Sequence, residues 1–335
     1  MLKNDMKRVR YLDIVKGLSI ICIVLLHYER DVFPTSINVF IGSFMITAFY
    51  VVTGWIDAMR SVQTTFVDFI RRKWRHLCIP YFWWSSIILL LDLILLALGF
   101  YDGMHIKTDI YKTITLRGIG TLWFLPALLG GEIIWFYLKK HNIILIVLAF
   151  IIAICYQYFY HRIFDGNTDL MYRIIDAPFR TISNMLEAWV GIAFGFFAYL
   201  LCKKKLLNRS NLVKGMIGAS LFIFAFVLAN YLPRCISIFW HYLAPLIGPL
   251  GLLLLFNSIQ DLRILNYFSF WGQNSLNLMV THYSIVLVIL TLIVEDFFHM
   301  PYSGWVSILC FVVSMPIQYL LVILIDKFAR FTLGK

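Results

Sequence analysis

The sequence predicts an all-α, polytopic membrane protein of about ten transmembrane helices with both ends in the cytoplasm, and three observations predict it. Of 335 residues, 61% are hydrophobic and only 14% charged, too apolar a balance for a water-soluble fold of this length. Ten apolar runs of bilayer-crossing length, roughly 17 to 25 residues each, alternate with loops that hold nearly all the charge. The basic residues divide unequally between alternate loops, about 20 Lys and Arg on one side and about eight on the other, and the richer side is cytoplasmic. The formal charge of +11 is thereby a consequence of topology, so the expected partner is the lipid bilayer and no nucleic acid is expected. Aromatic residues make up 17% of the chain, including 18 Tyr and 10 Trp, which suits rings at headgroup level.

In chain order the runs lie near Leu12 to Tyr28, Ile37 to Ile56, Leu77 to Gly99, Ile119 to Leu138, Ile143 to Tyr160, Ile182 to Leu201, Leu212 to Leu232, Cys235 to Phe256, Ser275 to Val294 and Gly304 to Ile325. They form one integral-membrane domain over residues 1–335, with no soluble domain between or beyond them. The N-terminus superficially resembles a signal peptide, but no small-residue cleavage site follows Leu26, so the first helix is expected to be retained. Two outer loops, Phe100 to Gly118 and Tyr160 to Thr181, mix acids, aromatics and polar residues; they either close over an outward-facing site or simply connect helices. Six cysteines are scattered singly and read as small buried hydrophobes; without close pairing they predict no metal.

Ionisable side chains inside helices are informative because each costs several kcal/mol in hydrocarbon unless it faces protein or water. The first helix concentrates them, with Asp13, Lys16 and His27. Lys16 and His27 are three helical turns apart, on nearly one face and about 16 Å apart along the axis. Gly17 permits close approach of a neighbouring helix or a ligand. That geometry suits a lined channel; alternatively, Lys16 snorkels to headgroups and His27 caps the helix.

Arg71, Arg72 and Arg75 lead into the third helix from the cytoplasmic side, at a spacing that gathers guanidinium groups as phosphate prefers them. The other reading of this cluster is anionic lipid or topology alone. Thr53 and Gly54 interrupt an aromatic run, Phe49-Tyr-Val-Val-Thr-Gly-Trp55, in the second helix. Thr121-Leu-Trp-Phe-Leu-Pro126, which includes Trp123, is followed by Gly130 and Gly131 and predicts a kink. Gly272-Gln-Asn-Ser-Leu-Asn-Leu-Met-Val-Thr-His282 brings a second histidine towards mid-membrane, and His241 is a third. Asp92, Glu132 and Glu187 are further intramembrane charges whose expected role is pairing with basic groups.

In these residues the sequence resembles the acyltransferase-3 family of bacterial integral-membrane O-acyltransferases. Lys16 and His27, with Asp13 and Gly17, fit its first-helix signature; Phe49, Tyr50, Thr53, Gly54 and Trp55 resemble its aromatic-x-x-Ser-Gly-aromatic motif with Thr for Ser. Arg71, Arg72, Arg75 and Pro80 resemble its arginine motif, and the segments from Leu122 to Leu125 and from Ser275 to His282 its later landmarks. Some members carry an additional esterase-like domain, which is not expected here.

The resemblance implies a multi-pass protein of the bacterial plasma membrane. It implies transfer of an acyl group, usually acetyl, from cytoplasmic acetyl-CoA to a hydroxyl of an extracytoplasmic or lipid-linked glycan. It further implies that Arg71, Arg72 and Arg75 hold the coenzyme phosphates, that Lys16 meets the donor, and that His27 is the general base or the nucleophile. Asp13 and Trp123 take supporting roles. The competing expectation is a transporter or flippase of a lipid-linked sugar, which shares the helix count and the intramembrane charges. The absence of visible inverted repeats weighs against it.

Overall fold

The computed structural model describes residues 8–60, 65–164, 170–231 and 237–335, the side chains at 170–173 and 237–243 excepted. The expected eighth crossing, Cys235 to Phe256, is therefore described only in part: Arg234, Cys235 and the His241 side chain lie outside the described residues. Every described element is helical. In order these are α1 (Arg10–Tyr28), α2 (Thr35–Phe44), α3 (Thr47–Arg60), α4 (Phe66–Lys73), a π-helical turn (Trp74–Cys78), α5 (Ile79–Ala97), α6 (Gly103–Ile114) and α7 (Phe124–Leu138). There follow α8 (Ile143–Phe164), α9 (Leu170–Lys205), α10 (Asn211–Tyr231), α11 (Ser237–Ile259), α12 (Leu265–Gln273) and α13 (Ser275–Thr281). A second π-helical turn (His282–Leu287), α14 (Val288–Leu292), a third π-helical turn (Ile293–Phe297), α15 (Gly304–Phe328) and a 3-10 turn (Arg330–Leu333) complete the chain.

Among the described residues, eight helical stretches are long and apolar enough to cross a bilayer, and two shorter apolar ones, Phe124–Leu138 and Ala244–Ile259, fall where the sequence places its fourth and eighth crossings. The chain is an all-α polytopic membrane protein. Large apolar side chains such as Leu90, Ile152 and Leu309 are more than half exposed, the inversion expected where lipid is the solvent. Cys202 and Cys310 are buried as expected, but Cys155 is exposed, its thiol on the same apolar exterior.

Three expectations need correction. The second crossing is two helices, interrupted by a turn at Met45 and Ile46. The third is not preceded by a separate juxtamembrane helix: α4, the first π turn and α5 form one stretch from Phe66 to Ala97. Pro126 lies in the first turn of α7, where no backbone N–H is required, so it does not kink the helix. Gly130 and Gly131 serve packing instead: a Cβ on either would meet Met185 or the Ala188–Trp189 backbone of α9 at under 3 Å. The outer segment from Phe100 to Gly118 contains a helix, α6.

The helices fall into two compact units. One comprises Met1–Leu26, Pro34–Ala58 and Gly195–Ser275. Its core is built on small residues: Gly218 and Gly251 let α10 and α11 meet backbone to backbone, and Gly195 sits on the Val51 carbonyl. Phe40, Phe44, Phe222 and Phe226 form an aromatic cluster with centroids about 5 Å apart. Trp55 is fully buried and donates to the Tyr11 hydroxyl at 2.9 Å.

Within this unit α1 crosses α12 at paired glycines. A Cβ on Gly17 would lie 1.7 Å from the Phe268 carbonyl oxygen, and one on Gly272 would lie 1.8 Å from that of Asp13. The close approach expected at Gly17 is therefore real, and its partner is the glycine that opens the Gly272 to His282 segment.

The other unit comprises His27–Phe33, Met59–Phe194 and Leu276–Lys335. Its helices are joined by side-chain hydrogen bonds: Gln157 and Ser183 exchange two between α8 and α9, at 2.9 and 2.7 Å, and Thr281 meets Gln318 of α15 at 2.5 Å. In hydrocarbon such groups have no water to turn to, so they bond across helices. Phe69 stacks on Phe136 at 4.8 Å.

Gly17→Ala or Gly272→Ala is expected to destabilise the protein. The opposing atoms are backbone and cannot rotate away, and the roughly 1 kcal/mol that alanine gains over glycine in a helix does not offset an overpacking cost of about 1–3 kcal/mol. Fluorescence-detected size exclusion after heating should show a lower midpoint for each variant than for Gly215→Ala, whose neighbour is a Ser258 side chain.

Candidate active site

The site grows from the end of α1. His27 is in its last turn, and the chain that follows is pinned within the same unit. Glu29 Oε1 accepts from the backbone N–H groups of Val32 and Phe33 at 2.7 and 2.8 Å. The Arg30 N–H donates to Ser307 Oγ, and the Gly304 N–H to the Arg30 carbonyl, so this turn is fastened to the start of α15. Tyr28 is fully buried and its hydroxyl donates to the His282 carbonyl at 3.3 Å.

His282 is wholly buried at the start of the second π turn. The wider turn gives that helix a register a regular α-helix lacks, a departure often found at functional sites. Its Nδ1 lies 2.7 Å from the Leu278 carbonyl oxygen, and its Nε2 lies 3.1 Å from His27 Nδ1. A carbonyl can only accept, so His282 Nδ1 carries the hydrogen. With both rings neutral, His282 Nε2 is then the acceptor, His27 Nδ1–H the donor, and His27 Nε2 carries the basic lone pair. Four atoms in a row thus set the tautomer of the first-helix histidine.

The walls are aromatic and close. Tyr283 packs edge-on to His27 with centroids 4.8 Å apart. Gly120, at φ +54, comes so near this wall that a Cβ would lie 2.2 Å from Ser284 Oγ and 2.8 Å from the Tyr283 ring. Thr121 Oγ1 donates to the Met279 carbonyl at 2.6 Å, which ties the turn before α7 to the His282 helix. Trp123 closes that turn as the N-cap residue of α7. Deeper in the unit, Asn277, Thr281, Gln318 and Ser314 are buried polar neighbours of this segment, the Thr281 hydroxyl donating to Asn277 O at 2.7 Å.

The arginines stand on the helix formed by α4 and the first π turn. Arg71, Arg72 and Arg75 are all exposed, as a binding role requires. Arg75 Nε is engaged by the Gly334 carbonyl at 2.9 Å, and Gly334, at φ +66, approaches the Arg75 backbone so closely that no Cβ fits. Lys73, within the cluster, turns inward instead and pairs with buried Glu132 of α7, the partner that the sequence leaves unnamed for that carboxylate.

In the other unit, Asp13 is 3% exposed and accepts from Arg8 Nε at 2.6 Å and Lys16 Nζ at 2.8 Å. The carboxylate holds Lys16 against its own helix, one turn away, which argues against free snorkelling to headgroups. Thr53 donates its hydroxyl to Phe49 O at 2.8 Å and Gly54 is buried beside Trp55, which matches the packing reading of that motif.

The structure therefore joins His27 to His282 and Lys16 to Asp13. Leu278, Tyr283 and Gly120 are the residues that sequence reasoning missed. A carbonyl one turn before a histidine has no distinguishing signal, and the contact with Gly120 spans two distant segments.

A hydrogen-bonded imidazole pair thus lies in a unit built of helices long and apolar enough to cross a membrane, and the fold defines a polytopic membrane protein. The particular kind follows from comparison. The acyltransferase-domain profile of the acyltransferase-3 family matches residues 9–325, nearly the whole chain, and the chain belongs to that family as a membrane-bound acyltransferase. No curated protein and no solved structure matches it.

Proposed function

We propose that the protein is an O-acyltransferase of the bacterial plasma membrane that moves an acyl group, acetyl by preference, from cytoplasmic acetyl-CoA to a hydroxyl of an extracytoplasmic or lipid-linked glycan. The observation that supports this reading best is the His27 to His282 hydrogen bond in a member of an acyltransferase family. It leaves the basic nitrogen of His27 at Nε2.

In the proposed reaction His27 Nε2 removes the proton from the acceptor hydroxyl as that oxygen attacks the thioester carbonyl. The new C–O bond forms, the C–S bond breaks, and the imidazolium returns the proton to the leaving thiolate, so that free coenzyme A and the acyl ester are the products. His27 Nδ1–H donates to His282 throughout, so the ring need not reorient as its charge changes. The same tautomer also serves a two-step route in which Nε2 attacks first and carries the acyl group.

Arg71, Arg72 and Arg75 are assigned to the coenzyme phosphates, for which exposed guanidinium groups supply charge-assisted, bidentate contacts. Lys16, held by Asp13, is assigned to the donor on the family resemblance. The π turn places Arg75 beside the C-terminal residues, so the assignment gives Arg71 and Arg72 the larger share of the phosphate contact.

His27→Ala is expected to abolish acyl transfer without loss of membrane insertion, measured as acetylated glycan by mass spectrometry and as protein in the membrane fraction. Acetylation by a correctly inserted variant would remove His27 from the reaction. His282→Ala is expected to lower kcat by about 100-fold or more, the usual weight of a base's alignment, with an unchanged KM for the donor; His282→Gln, which retains an acceptor, should recover part of the loss. Arg72→Ala is expected to raise the apparent KM for acetyl-CoA while leaving kcat nearly intact, and an unchanged KM would return the arginines to a topological role. A flippase, by contrast, would move its sugar without releasing free coenzyme A, which a thiol-reactive dye detects directly.

A further inference from the structure

At the corner between α5 and α6, within one unit, lies a second group of ionisable side chains that the proposed reaction does not use. Asp92 of α5 and Asp109 of α6 are 4% and 3% exposed, and the half-exposed His105 stands one turn before Asp109. Ligand-capable atoms of the three lie within 4.8 Å of one another. Asp109 Oδ1 is paired with Lys112 Nζ at 2.7 Å, and its Oδ2 faces His105 Nε2. Asp92 Oδ2 is buried and has no hydrogen-bond donor. Two carboxylates against one ammonium leave a surplus negative charge in a desolvated corner, and such a charge requires a compensating cation or proton.

The geometry favours a cation. His105 Nε2 is 3.3 Å from Asp109 Oδ2, long for a charge-assisted hydrogen bond of about 2.7–2.9 Å. The same spacing is the ligand-to-ligand edge of a tetrahedral centre whose bonds are about 2.0 Å long. Tyr101 packs against the His105 ring with centroids 4.0 Å apart, which fixes the direction of the imidazole.

We propose that Asp92, His105 and Asp109 form a binding site for a divalent transition-metal ion. An imidazole among the ligands disfavours Ca2+ and Mg2+, which take oxygen, and points to Zn2+ or Mn2+. The expectation of no metal was drawn from scattered cysteines, and it has no bearing on a carboxylate and imidazole site. Asp92 lies about 30 Å further along the helical stretch than Arg72, a hydrocarbon thickness away, so the ion is taken from the side opposite the arginines. Its role is to hold α6 against α5. The segment leaving α6 runs through Gly118 and Gly120 to Thr121, which bonds to the His282 helix, so the ion steadies the wall beside the imidazole pair without touching it.

The test uses the purified full chain in detergent, stripped with chelator and titrated calorimetrically with Zn2+, then with Mn2+. The expected result is one ion per chain, a higher melting temperature with the ion, and at least about 10-fold weaker binding in both Asp92→Asn and His105→Ala. Wild-type protein that binds neither ion would overturn the proposal. Binding that both variants retain in full would also overturn it, by placing the ion elsewhere. A metal-free Asp92→Asn variant more stable than a wild type that binds no ion would identify a shared proton as the compensating charge.

Discussion

One backbone carbonyl, that of Leu278, sets the order of donors and acceptors in the His27–His282 pair when both rings are neutral. It can only accept, so it holds the hydrogen of His282 on Nδ1, and the order of donors and acceptors then runs outward without a choice to His27 Nε2. In water either tautomer of either ring would be populated and the order would be lost. Burial of His282 removes that freedom. The contacts of Tyr28, Tyr283, Gly120 and Thr121 matter because they keep the carbonyl and the two rings in line.

The rest of the architecture answers to the solvent. Lipid contributes no hydrogen bonds and no drive for apolar side chains to hide, so helices hold together through close backbone approach and through polar pairs that bond across helices. The two crossings at Gly17 with Gly272 and at Gly218 with Gly251 are of the first kind. Lys73 with Glu132 and Gln157 with Ser183 are of the second, while Asp13 holds Arg8 and Lys16 along its own stretch of chain. Lys73 and Glu132, charged residues that look costly in the sequence, are thereby accounted for by each other.

The three π turns among the described residues add to this. Each widens a helix locally where a regular turn would aim side chains elsewhere: one at the arginines, one at His282, one before the turn that leads to α15. At the first, Arg75 is drawn to the C-terminal Gly334 while Lys73 faces Glu132. A periodicity of 3.6 residues, applied to Arg71, Arg72 and Arg75, groups all three on one face, because it contains no such widening. Pro126 illustrates the same limit from the other side, since a proline at a helix start and one at a kink are identical until the start is located.

The membrane setting and the run of bilayer-length helices were legible in the sequence, because hydrocarbon tolerates only long apolar helices, and Lys16 and His27 stood out there because a charge or an imidazole inside such a helix is conspicuous. The family resemblance was equally legible, being carried by local motifs in order along the chain. Tertiary structure alone decided which groups meet: His27 with His282, Glu132 with Lys73, Asp92 with Asp109 and His105. Each of these except the i, i+4 pair of His105 and Asp109 joins segments far apart in sequence, and their register depends on glycine contacts and π turns that no local periodicity encodes.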